Sequence, residues 1–228
     1  MGYYTSMVFL IPAIILSFYA QMKVQRAYQT YARVANGRGI TGAQVARYIL
    51  DSNGLGSIPV NEIAGNLTDN YNPQQQVMNL SQAVYEQPSI ASIAIAAHES
   101  GHALQHAEGY SLLNLRNSIV PVANIGSMLS WPLLILGLFM GRGGDFFFNL
   151  GIGLFLAVVI FHLVTLPVEL DASKRALVQL DNMGAFVSSD EHAAAKQVLD
   201  AAALTYLAAL ATAVANLLRM LAMRGNRR

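Results

Sequence analysis

Residues 119–168, IVPVANIGSMLSWPLLILGLFMGRGGDFFFNLGIGLFLAVVIFHLVTLPV, decide the fold class. The stretch 119–140 carries no charge, and 146–168 carries one ionisable side chain, His162. Each reaches the roughly 20 residues that a helix needs to cross the hydrocarbon core of a bilayer. Only Gly141-Arg142-Gly143-Gly144-Asp145 separates them. The pair therefore reads as a helical hairpin whose two ends return to the same face of a membrane. Residues before position 119 and residues from Glu169 onward are expected on that common face.

Two further stretches extend the pattern outward. Residues 3–22 are uncharged and are followed by Lys23, Arg26, Arg33 and Arg38. The stretch lacks a basic leader and a small-x-small cleavage site, so it reads as an uncleaved anchor rather than a signal peptide. The positive-inside bias then places the following segment in the cytoplasm and Met1 outside. Residues 201–218 are rich in Ala and Leu, with Asn216 within and Arg219 at the end, and the helix is expected to reach about residue 222. A full crossing there would put Arg224, Arg227 and Arg228 outside, against the same bias. Either this helix crosses incompletely or the orientation is reversed.

Composition agrees with a bilayer environment. Hydrophobic residues make up 54% of the 228 and charged residues 12%, against about 25% charged in soluble domains. A net charge of +1 with scattered basic residues gives no nucleic-acid footprint. The absence of cysteine excludes disulfides, thiolate metal sites and cysteine nucleophiles. The expected fold is mainly α: a membrane helical bundle of about four spans, in one domain covering 1–228, with a small β element. The catalytic segments fall near 41–117 and 169–200.

Local signals fill in these segments. Thr41 caps a helix running to about Asn53, with Gly54 just beyond it. Asn70-Tyr71-Asn72-Pro73 reads as a turn, and residues 77–85 as a short strand. A helix should run from Ser89 to about Ala107. Ser188 or Ser189 should cap another that starts at Asp190 and continues into the last apolar stretch.

The helix from Ser89 carries His98-Glu99-Ser100-Gly101-His102, a match to H-E-x-x-H. Positions i and i+4 share one helical face, so two imidazoles can meet one metal ion. Glu99 lies beside that face, where a carboxylate can take a proton from a metal-activated water and pass it to a leaving amine. The apolar run Ile93-Ala94-Ile95-Ala96-Ala97 argues that this helix is buried, where two histidines and a glutamate are costly unless satisfied.

A catalytic zinc site wants a third protein ligand. His106 is a candidate, but it lies about 12 Å along the helix axis from His98, so one straight helix hardly brings all three imidazoles to one ion. Glu108 sits where the metzincin pattern places its last histidine, yet Gln105 stands where that pattern has glycine. Glu169 and Asp171 follow the hairpin directly. Glu169 is favoured as the ligand, with Asp171 behind a zinc-bound histidine. His162, an ionisable group inside a span, is a further candidate, either functional or a structural hydrogen-bonding group.

The stretches Ala96-Ala97-His98-Glu99-Ser100-Gly101-His102-Ala103-Leu104-Gln105-His106 and Leu163-Val164-Thr165-Leu166-Pro167-Val168-Glu169-Leu170-Asp171-Ala172-Ser173, with Arg116, Val120-Pro121 and Asp69-Asn70-Tyr71-Asn72-Pro73, resemble the bacterial membrane neutral zinc metallopeptidase family of the YugP type. The resemblance runs from about Tyr28 to Tyr206. That family is similar to the heat-shock and prenyl-protein membrane proteases, gluzincins whose third ligand is a glutamate on a later helix. The resemblance implies that role for Glu169. Those relatives place an aspartate four residues after the ligand; Ser173 stands there in this chain.

The expected activity is a zinc-dependent membrane endopeptidase using one Zn2+, with His98, His102 and Glu169 as ligands and Glu99 as general base. Its partners would be a peptide or membrane-protein substrate and the lipid bilayer, in a multi-pass protein of the bacterial cell membrane with its site on the cytoplasmic side. The rival reading is a non-catalytic scaffold or binding protein with a structural zinc. An intact Glu99 argues against it, since a structural site needs no base.

Overall fold

The computed structural model describes residues 7–225, with the Arg142 side chain excepted. Residues 3–6 of the first apolar stretch, Met1, Arg227 and Arg228 lie outside the described residues. The chain is mainly α, with seven α-helices and a three-stranded sheet among the described residues. Among the described residues, four helical segments are long and apolar enough to cross a membrane: Met7–Tyr31, Ser111–Phe139, Asp145–Asn182 and Ser189–Gly225. The first opens with a 3-10 turn, Met7–Phe9, that leads into α1, Leu10–Tyr31.

The chain divides into two compact units. One gathers residues 7–20, Ser111–Pro167 and 205–225. It contains α5 (Ser111–Phe139), the first part of α6 (Asp145–Asn182) and the last part of α7 (Ser189–Gly225). The hairpin turn is a short 3-10 segment, Gly141–Gly144. Within this hairpin α5 and α6 approach at backbone distance: a Cβ on Gly126 would lie 2.4 Å from the Leu154 carbonyl oxygen. Small residues allow such close helix packing in a bilayer, where burial of apolar surface drives little. Leu134, Phe148, Phe155 and Met220 fill the core of the unit. Phe18, Met128 and Phe139 stay exposed, on a surface suited to hydrocarbon rather than water.

The other unit comprises residues 21–Tyr110 and Val168–Leu204. Thr41 caps α2 (Gly42–Ser52) through a reciprocal capping box with Gln44, as its sequence signature predicts. Val45 and Ile49 of α2 pack on Ile90, Ile93 and Ala97 of α4 (Ile90–Ala107), and on Ala176 and Leu180 of α6. Ser89 caps α4 by accepting from the Ser92 N–H. The sheet has the order β1-β3-β2, with β1 (Val60–Ile63) parallel to β3 (Val77–Ser81) and β2 (Asn70–Asn72) antiparallel to it.

Two local expectations change here. Asn70-Tyr71-Asn72 is strand β2 rather than a turn, because each residue finds a partner in β3 and the chain reverses after it, with Gln76 at positive φ. The strand expected over 77–85 ends at Ser81, whose N–H and hydroxyl donate to Asp69, and the short helix α3 (Gln82–Glu86) follows. β3 is also paired on both sides, so it offers no free edge to an extended peptide.

Helix α6 outruns its apolar stretch by continuing through Pro167 to Asn182. Proline lacks the N–H of one helical bond, but the ladder resumes after it. Glu169 and Asp171 are therefore mid-helix residues.

Candidate metal centre

Helix α4 presents His98 and His102 one turn apart, their rings edge-to-face with centroids at 4.8 Å. Helix α6 brings Glu169 between them. Its Oε2 lies 3.2 Å from His98 Nε2 and 3.4 Å from His102 Nε2, and the carboxylate residue is only 2% exposed. One donor atom from each of the three residues lies within 4.8 Å of the others.

The close approach of the two helices depends on Gly101. A Cβ there would sit 2.6 Å from the Ala172 carbonyl oxygen, a backbone atom that cannot turn aside. Gly101→Ala should push α4 and α6 apart and destabilise the fold by about 1–3 kcal/mol, the usual cost of overpacking. It should also weaken metal binding, because the histidines and Glu169 stand on opposite sides of that contact. Thermal unfolding and zinc titration of the same preparation check both effects.

Electrostatics separate the two carboxylates. Burial alone would raise the Glu169 pKa, but hydrogen bonds and charge from His102 and His98 outweigh it and hold the carboxyl well below its usual range. Burial pushes Glu99 upward and the Glu169 charge adds to this, while both imidazoles and the Tyr71 N–H offset it only in part. For His102, burial favours the neutral ring, but the Glu169 hydrogen bond and the Glu99 and Glu169 charges prevail and raise its pKa. Glu169 thus stays anionic, while Glu99 is the better proton acceptor. Paired carboxylates whose environments push them apart take different roles.

Hydrogen bonds orient each side chain. Tyr71 N–H of β2 donates to Glu99 Oε2 at 3.0 Å. Ser173 Oγ lies 3.1 Å from His98 Nδ1. Gln105 Oε1 lies 3.0 Å from His102 Nδ1. In both imidazoles the outer nitrogen has a partner and the inner one faces Glu169.

The remaining candidates fall elsewhere. His106 Nδ1 pairs with the Tyr71 hydroxyl at 2.9 Å, outside the three-residue cluster. Glu108 pairs with Arg175 at 2.7 Å. Asp171 touches neither imidazole; its Oδ2 accepts from Gln105 Nε2 and Arg175 Nε. His162 belongs to the other unit, where its ring packs edge-on against Phe161.

Sequence reasoning assigned no role to Gln105, Ser173 or Tyr71. For the first two a signal existed: Gln105 is i+3 from His102, and Ser173 is i+4 from Glu169, both on the same helical faces as those residues. Tyr71 acts through its backbone, which no side-chain pattern reveals.

Two imidazole nitrogens and an anionic carboxylate match zinc's preference for nitrogen and oxygen donors. A buried carboxylate also calls for a cationic partner, so the residues present fit such an ion.

The sequence profile of the family described as "Putative neutral zinc metallopeptidase" matches residues 6–225. A protein of Bacillus subtilis (strain 168) named "Putative membrane protease YugP" is 47% identical over 209 residues, covering 92% of each chain. No solved structure matches.

Proposed function

The chain belongs to the neutral zinc metallopeptidase family, and on that footing we propose that it is a membrane endopeptidase of gluzincin type acting on peptide or membrane-protein substrates. The observation that carries this reading is the convergence of His98, His102 and Glu169 within 4.8 Å, with Glu99 one residue from His98 in the same helix. His98 and His102 would hold the ion through Nε2, and Glu169 through a carboxylate oxygen. When bound, the zinc supplies Lewis acidity that acidifies water and polarises a scissile carbonyl.

The protein's own residues handle the proton. Glu99, its carboxylate steadied by the Tyr71 N–H, accepts a proton from the attacking water and delivers it to the leaving amine. Its proton affinity, raised by burial, favours taking up that proton. Purified protein should cleave a peptide substrate, lose that activity to a chelator and regain it with added zinc. Activity that survives complete zinc removal would contradict the reading.

The same proposal places the protein as a multi-pass protein of the bacterial membrane with the site unit in the cytoplasm, from the basic residues that follow the first span. The native chain has no cysteine, so a single introduced thiol reports topology cleanly. Asn66 is exposed in the site unit. In Asn66→Cys, a membrane-impermeant maleimide should label the protein only after the cells are permeabilised. Labelling of intact cells would reverse the orientation.

A further inference from the structure

Gln105 is wholly buried, and every polar atom of its amide is engaged. Nε2 donates to the Val168 carbonyl at 2.9 Å and to Asp171 Oδ2 at 2.8 Å. Both partners are acceptors: one is a backbone carbonyl, and the other is a carboxylate already receiving Arg175 Nε. The amide orientation follows from these two bonds. Its oxygen must face His102 Nδ1, 3.0 Å away, and an amide oxygen only accepts. His102 therefore carries hydrogen on Nδ1, which leaves Nε2, the nitrogen 3.4 Å from Glu169 Oε2, as the ring atom a metal ion would take. Val168, the second anchor, is the residue immediately before Glu169. One side chain thus sets the tautomer of one candidate ligand and grips the backbone that carries another.

The chain of bonds continues outward. Arg175 Nη1 donates to Glu108 Oε2 at 2.7 Å, and its guanidinium lies 5.8 Å from the Tyr110 ring centroid. Asp171 and Arg175 are one turn apart on α6, whereas Gln105 and Glu108 belong to the end of α4.

We propose that Gln105 is a positioning residue for the metal centre. It relays the charge of Asp171 to His102 and holds His102 and Glu169 in one fixed relation. The proposal rests on the reading of His102 and Glu169 as metal ligands. It differs from direct carboxylate support, because a neutral amide stands between acid and imidazole.

The test compares wild type, Gln105→Leu, Asp171→Ala, the double variant and His102→Ala in detergent. Zinc affinity is read by competition with a chromophoric chelator, and the cobalt-substituted proteins are read by their visible absorption spectra. Gln105→Leu should lose about 10–100-fold in zinc affinity, the usual effect of removing a residue that orients a ligand, and should shift the cobalt spectrum. Asp171→Ala should shift the spectrum in the same direction although Asp171 touches no imidazole. In the Gln105→Leu background, Asp171→Ala should cost no further affinity, because the relay is already cut.

Asp171 is only partly buried, so its variant keeps the proposal testable if Gln105→Leu fails to fold. Wild-type affinity and spectrum in Gln105→Leu or in Asp171→Ala would overturn the proposal. Additive losses in the double variant would also overturn it, reducing both residues to separate structural supports. His102→Ala serves as the control on the parent reading. If it retains full zinc affinity, the metal assignment itself fails; if it loses binding while the other variants do not, only the role of Gln105 fails.

Discussion

Glu169→Ala should abolish stable zinc binding. The side chain is 2% exposed and lies between two imidazoles, with oxygen-to-nitrogen distances of 3.2 and 3.4 Å. Truncation removes the anionic donor of the three and leaves two histidines on one helix. Changes to residues that merely orient ligands cost about 10–100-fold in affinity, and loss of the carboxylate itself should exceed that range. Zinc measured by mass spectrometry after desalting should fall from about one ion per chain to near none. A control on the same helix sharpens the result: Asp181→Asn removes an exposed charge that pairs with His192, outside the cluster and its supporting bonds, so it should retain zinc under the same washing. Full occupancy in Glu169→Ala would remove Glu169 from the set of ligands.

Glu99→Gln should do the opposite, keeping the metal and losing the chemistry. The replacement has nearly the same shape, and its amide oxygen can still accept the Tyr71 N–H that Glu99 Oε2 now receives at 3.0 Å. What disappears is the capacity to take up a proton. General acid–base groups contribute about 10²–10⁴ in rate, so turnover should drop by that factor while zinc content stays at the wild-type level. The Glu99 carboxyl is raised by burial and by the neighbouring Glu169 charge, while both imidazoles and the Tyr71 N–H draw it back in part. Its proton affinity is thus the higher of the two carboxylates, Glu169 being held low by its imidazoles.

The fold class was legible because the bilayer imposes a length rule. The uncharged stretches 119–140 and 146–168 needed no tertiary information to be read as helices, and the glycine-rich joint between them fixed the hairpin. The helix caps at Thr41 and Ser89 were legible for a similar reason, since each is a local hydrogen bond. Strand β1 left no comparable mark. It is a short edge strand whose partner, β3, follows after an intervening strand, so its identity depends on a non-local pairing.

The candidate site divides along the same line. His98, Glu99 and His102 follow from a five-residue pattern, and Glu169 from topology and family resemblance together. Asp171 was anticipated behind a histidine but reaches His102 only through Gln105. That detour depends on how α4 and α6 pack, which the glycine at position 101 permits and no spacing rule reports. His106 illustrates the converse. Helical rise argued against its joining His98 at one ion, and the structure gives its ring a different partner in the Tyr71 hydroxyl.

The most direct test of the account is to incubate wild type and Glu99→Gln, matched for zinc content, with a panel of membrane-protein substrates and to quantify the fragments. Cleavage by the wild type alone, with equal zinc in both proteins, is the predicted result. Equal cleavage by the two proteins, or no cleavage of any substrate by a fully zinc-loaded wild type, would contradict it.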